Sequence, residues 1–184
     1  MTPSDSAPLL QKQIHAVAAL YALDPLFVDA WIAVESGGNP WAWNPEPKYR
    51  YFWDVKRRHP FRTITEIERH AEFPPADFPC LAGDRDQEWW GQQASWGLLQ
   101  VMGAVAREYG FTQPYLTELC DPYSNVVIAC RYFRTLLAWA EDNTAQALAA
   151  YNGGKWLNHQ PPFRNQAYAN KVLAQHARLL HGDV

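Results

Sequence analysis

Apolar residues recur at helical spacing along most of this chain, and one proline- and aromatic-rich stretch interrupts the pattern. Leu10, Ile14, Val17, Ala18 and Tyr21 share one face, which predicts an amphipathic helix over 9–22. Leu26, Phe27, Ala30, Trp31, Ile32 and Val34 form a denser run, so 26–34 is predicted as a helix largely buried in a core. Asp24 and Pro25 supply its cap and first turn, and Gly37-Gly38 a left-handed stop. Between 40 and 79 stand seven prolines, which forbid long regular structure. Trp41, Trp43, Tyr49, Tyr51, Phe52, Trp53, Phe61, Phe73 and Phe78 are interleaved with them, too much aromatic surface for a disordered linker. An ordered excursion is predicted, with short strands near 49–55 and a helical turn or two over 65–72, where Thr65 and Glu68 form a capping pattern.

Periodicity then returns. Leu98, Leu99, Met102, Val105, Ala106 and Tyr109 predict a buried helix closed by Gly110. Asp121-Pro122 repeats the earlier cap and opens a long helix to about 140, with Val126, Val127, Cys130, Phe133, Leu137 and Ala140 facing inward and Asn125 as a structural buried amide. Asp142-Asn143-Thr144 turns into a short helix over 145–151, stopped by Asn152-Gly153-Gly154. A loop over 155–164 leads to a closing helix over 166–180, with Ala167, Tyr168, Val172, Gln175 and Leu179 on its inner face. The whole reads as a mainly α single domain over 1–184.

Composition narrows the picture. Hydrophobic residues make up 48% and charged residues 19%, which indicates a compact globule. The net charge of −3 gives no electrostatic reason to expect nucleic-acid binding. The basic cluster Lys56, Arg57, Arg58, His59 and Arg62 reads as a solvated loop, and His15 as a surface histidine. No stretch approaches the length of a membrane span, so stable membrane insertion is not expected. The first residues lack the basic start and apolar centre of a secretory signal, and the expectation is accumulation in the cytoplasm with delivery by another system. Cys80, Cys120 and Cys130 show no metal-type spacing and are expected to be reduced and structural; no metal or cofactor is called for. Nine Trp and nine Tyr suit sugar stacking as well as core filling.

The chemistry centres on Glu35. It ends the most apolar helix, beside the negative end of the helix dipole and next to Trp31 and Val34, and both effects disfavour ionisation. A carboxyl group kept protonated near neutral pH is what a general acid needs to protonate a glycosidic oxygen; a solvated helix-terminal glutamate is the alternative. Gln100 falls in an apolar run, so its amide either bonds backbone or faces a polar cleft and holds a ligand.

Four pieces, Glu35-Ser36, Gly97-Leu98-Leu99-Gln100-Val101-Met102, Ala150-Tyr151-Asn152-Gly153-Gly154 and Tyr168, stand in a fixed order, with Asp121-Pro122 and Asn125 between the second and third. Together they resemble the SLT-domain lytic transglycosylases of glycoside hydrolase family 23, a lysozyme-like superfamily that includes goose-type lysozyme. The resemblance spans about 24–175. Two departures stand out: an insertion over 45–93, and Ala94-Ser95-Trp96 with Leu99 where the family has G-A and Met. The insertion and the missing signal sequence look more like phage-encoded wall-lytic members.

The resemblance implies a lysozyme-like fold, a monomer acting on peptidoglycan glycan strands, and Glu35 as sole acid and base. Glu35 would cleave the β-1,4 bond between N-acetylmuramic acid and N-acetylglucosamine, leaving a 1,6-anhydromuramoyl end. Ser36, Gln100, Tyr151, Asn152 and Tyr168 match positions that line the family's cleft, although Tyr151 and Tyr168 also read as core aromatics. A hydrolytic muramidase of the inverting kind would need a second carboxylate about 6.5 to 9.5 Å away. Glu46 is the candidate for that or for sugar binding, ahead of Asp54, Asp84, Asp86 and Glu88. A non-catalytic wall-binding protein and a chitin-directed glycosidase complete the alternatives.

Overall fold

The computed structural model describes residues 3–182, with side-chain surroundings from Leu9 onward. The protein is mainly α, as expected. It divides into two compact units, one formed by the residues up to Gly38 with those from Ala129 onward, the other by Asn39–Ile128. Among the described residues no single helix is long and apolar enough to cross a membrane.

The first unit is helical. α1 (Pro3–Leu20) and α2 (Pro25–Glu35) are the two predicted N-terminal helices, and Oδ1 of Asp24 accepts from the Leu26 N–H at 2.9 Å as the expected cap. α6 (Pro122–Trp139) contributes its residues from Ala129, followed by α7 (Thr144–Gly153), capped by Asn143, and α8 (Gln166–His181). α2 packs against α1 and α8, and α7 against α8. Phe27, Trp31 and Phe133 form the aromatic centre, with Phe27 and Phe133 rings stacked 5.5 Å apart. The buried positions of α8 are Ala169 and Val172, and the expected Ala167 is exposed. His15 is not a free surface histidine, for its Nε2 lies 2.7 Å from Oδ2 of Asp29.

The second unit holds the strands. β1 (Trp43–Pro45) pairs antiparallel with β4 (Ala94–Trp96), which pairs with β5 (Val101–Met102); β2 (Trp53–Asp54), inside the predicted strand region, forms a hairpin with β3 (His59–Pro60), which lies beyond it. α3 (Glu66–Arg69) carries the anticipated capping box between Thr65 and Glu68. Phe52, Ile64, Phe78 and Trp89 make a core of their own, in which Phe52 and Trp89 stack at 4.2 Å with ring planes 2° apart. The basic cluster is partly neutralised, because Arg62 bonds both Glu68 and Asp77.

One helix of this unit has no counterpart in the apolar pattern, and one expectation is corrected. Residues 85–92 form a helix, α4 (Arg85–Gln92), capped by Asp84. The predicted helix over 98–109 is a β-hairpin followed by a short helix, α5 (Gly103–Glu108). Gly97 at φ 71° and Gln100 at φ 46° turn the chain left-handed, and pairing with β1 captures the backbone before a helix can propagate. Apolar spacing cannot reveal this, since a buried hairpin and a buried helix present similar short runs.

Candidate active site

α2 delivers Glu35 to a fixed place. The Ser36 and Gly37 N–H groups close the helix on the Ile32 and Ala33 carbonyls, and Gly37 and Gly38 take φ 61° and 83°, where only glycine is at ease. Ser36 returns its hydroxyl to the Ile32 carbonyl at 3.3 Å. Glu35 therefore stands one helical turn beyond Trp31 on the same face.

α8 brings Tyr168 to this point. Its hydroxyl donates to Oε1 of Glu35 and accepts from the Trp31 Nε1–H at 2.9 Å, so an indole, a phenol and a carboxyl group form one chain of hydrogen bonds. α7 places the Tyr151 ring edge-on to Trp31 at 4.6 Å, with Tyr132 of α6 beyond it at 5.4 Å. Trp31 has no exposed surface, while Glu35, Tyr151 and Tyr168 are half-buried.

The electrostatics follow from this enclosure. Burial pushes the Glu35 pKa from 4.5 up to about 7, and the hydrogen bond from Tyr168, whose oxygen is itself held by the Trp31 N–H, favours the carboxylate and restrains the rise. Burial and the neighbouring Glu35 charge push the Tyr168 and Tyr151 hydroxyls well above their usual range, so both keep their protons across the physiological span. The solvated-glutamate alternative does not describe this group.

The other expected residues are placed as follows. Asn152 ends α7, exposed, its Oδ1 accepting from Asn165 Nδ2 at 2.7 Å. Gln100, in the second unit, commits its amide nitrogen to the carbonyls of Ala42 at 3.1 Å and Gly97 at 2.9 Å, while Oε1 accepts from Ser95 at 3.0 Å. Half-buried, the amide is thus engaged by backbone carbonyls and the Ser95 hydroxyl. Glu46, also in that unit, is exposed and accepts from Asn44 at 2.6 Å. The weaker second-carboxylate candidates are largely consumed by the fold. Asp54 binds the Lys56 and Arg57 N–H groups, Asp84 caps α4, and Glu88 forms a buried ion pair with Arg107.

Sequence reasoning treated Trp31 as apolar surroundings and missed its N–H. The signal was its helical-turn spacing from Glu35. The family model described as Transglycosylase SLT domain matches residues 12–174, from within α1 into α8. No solved structure matches the chain.

Proposed function

The chain belongs to the transglycosylase SLT domain family, and from that premise we propose that Glu35 is the acid and base of a lytic transglycosylase leaving 1,6-anhydromuramoyl ends. The family establishes the coarser activity, cleavage of glycosidic bonds in peptidoglycan. The observation that carries the finer reading is the desolvated carboxyl group at the end of α2, bonded to Tyr168 and titrating at about 7.

Near neutrality a large share of this group is neutral and can give its proton to the oxygen linking N-acetylmuramic acid to N-acetylglucosamine. As that bond breaks, positive charge develops at the anomeric carbon and the carboxylate is left beside it. The C6 hydroxyl of the same sugar then attacks the anomeric carbon and returns its proton to Glu35. One carboxyl group suffices because the nucleophile is already tethered, which removes the entropic cost of recruiting water. The electrons and protons balance without a co-reactant.

Digestion of purified peptidoglycan followed by mass spectrometry tests the reading. The expected products carry ends one water lighter than reducing ends, and Glu35→Gln yields none while remaining folded. Reducing ends would mark a hydrolase, and an active Glu35→Gln would remove Glu35 from the role.

A further inference from the structure

Tyr168 stands between a group that can only donate and a group that can only accept when ionised. An indole N–H has no acceptor, whereas a phenol both donates and accepts. The bond from Trp31 Nε1 to the Tyr168 oxygen, 2.9 Å long, therefore has one possible direction. The indole takes one acceptor position of the phenol, and the phenolic proton is directed at Oε1 of Glu35. Oε1 is then an acceptor whether the carboxyl group is neutral or ionised.

We propose, on the reading of Glu35 as the acid, that Trp31 is a positioning residue whose N–H fixes the direction of the Tyr168–Glu35 hydrogen bond and so keeps the transferable proton on Oε2. Oε2 gives up that proton when the glycosidic bond breaks and takes one back from the C6 hydroxyl. Tyr168 keeps its own proton in both steps, in accord with its strongly raised pKa.

The packing supports a fixed donor. Trp31 is enclosed by the ring of Phe133 at 4.8 Å, Tyr151 at 4.6 Å and Phe27 at 6.0 Å, and it shares a helix with Glu35, so neither ring nor spacing can drift. Beside Glu35, the titratable groups that act on Tyr151 are Tyr168 of α8 and Tyr132 and Cys130 of α6, and the group that acts on Tyr168 is Glu35. Without the indole N–H, the phenol is free to turn and accept from a proton on Oε1. The acid then divides its proton between two oxygens, one of them facing Tyr168.

The test is a double-mutant cycle on peptidoglycan turnover with Trp31→Phe, Tyr168→Phe and the pair. It is joined by a chain carrying 3-benzothienylalanine at position 31, where sulfur replaces the N–H within the same ring shape. Expected are a fall in kcat of about tenfold with KM unchanged for Trp31→Phe and for the isostere, and a higher midpoint for the Glu35 side chain in a ¹³C NMR titration. In the Tyr168→Phe background the Trp31 substitution adds nothing, because Trp31 acts through that hydroxyl. Losses that multiply in the pair, or an isostere with full kcat, overturn the proposal. If Trp31→Phe fails to fold, the isostere decides alone. An active Glu35→Gln would sink the parent reading instead, whereas an inactive one with multiplying losses sinks only the role of Trp31.

Discussion

Asn125 and Gly97 occupy the same corner of the second unit: a Cβ added to Gly97 would lie 2.5 Å from the Asn125 side-chain nitrogen. That nitrogen donates to the carbonyls of Trp96 at 2.8 Å and Leu119 at 3.0 Å, and the Asn125 oxygen accepts from the Leu99 N–H at 2.9 Å. The buried amide is thus fully used in bracing the β4–β5 turn, and the glycine leaves room for it. Gly97→Ala introduces both this collision and an alanine at φ 71°. We expect it to cost about 2–4 kcal/mol, read as a lowered urea midpoint with an unchanged slope. A loss below about 0.5 kcal/mol would show that the corner yields freely.

Glu35 ties stability to pH with a definite sign. Its folded pKa, about 7, exceeds the ordinary value of 4.5, so between these pH values the folded chain binds more protons than the unfolded one. Stability from this group is therefore complete below about pH 4.5 and is lost as pH rises through 7. Glu35→Gln has no charge to desolvate. Relative to the parent it should gain on the order of 3 kcal/mol between pH 4.5 and pH 8 while losing turnover. Denaturation of both proteins across that range checks the slope, and parallel curves would contradict the burial of the carboxyl group. In the active parent, kcat/KM should fall on the alkaline side of about pH 7 as the acid loses its proton.

The ion pair of Glu88 and Arg107 makes a prediction for the inserted region. Both side chains are 1% exposed; Arg107 Nη2 lies 2.7 Å from one carboxylate oxygen and Nε 2.9 Å from the other. Arg107 also donates to the Phe111 and Gln113 carbonyls, and Gln92 donates to Glu88. Glu88→Leu strands a buried guanidinium and should cost about 3–5 kcal/mol, more than Glu88→Leu combined with Arg107→Met. Thermal midpoints of the three proteins rank them, and a double variant less stable than the single would overturn the account.

The helices of the first unit were legible because their information is local. Asp24-Pro25, Asn143 and the apolar spacing from Leu26 to Val34 each act within a turn or two of chain. Glu35 was legible for the same reason, since its burial and its place at a helix end are written in its neighbours. What escaped depends on distant partners. The β4–β5 hairpin needs Asn125 and β1, the α4 helix is rich in polar residues yet buries Glu88 against Arg107, and the Tyr168 bond joins residues 133 positions apart. Gln100 lay between the two cases. Its need for backbone partners was foreseeable, but the Ala42 carbonyl that engages it is 58 residues away.

Asn152 depends on a neighbouring asparagine for its placement, and this can be separated from the chemistry of Glu35. Asn158 is fully buried; its Nδ2 donates to the Gly154 carbonyl at 2.9 Å and to Asn165 Oδ1 at 3.2 Å, and its Oδ1 accepts from the Asn165 N–H at 3.0 Å. Asn165 then holds Asn152. Asn158→Ala leaves these backbone groups without their partner, which should cost about 1–3 kcal/mol and loosen the loop over 154–165. If Asn152 contributes to holding sugar, KM rises while the alkaline limb near pH 7 stays, because the Trp31–Tyr168–Glu35 chain contains no atom of this loop. Limited proteolysis should show new cleavage within 155–164. Asn158→Asp keeps the acceptor toward Asn165 but not the donors, and should fall between the parent and the alanine variant. A protease-resistant Asn158→Ala with unchanged KM would show that the network carries no weight in placing Asn152, and a shifted pH limb would show that the loop and the acid are coupled after all.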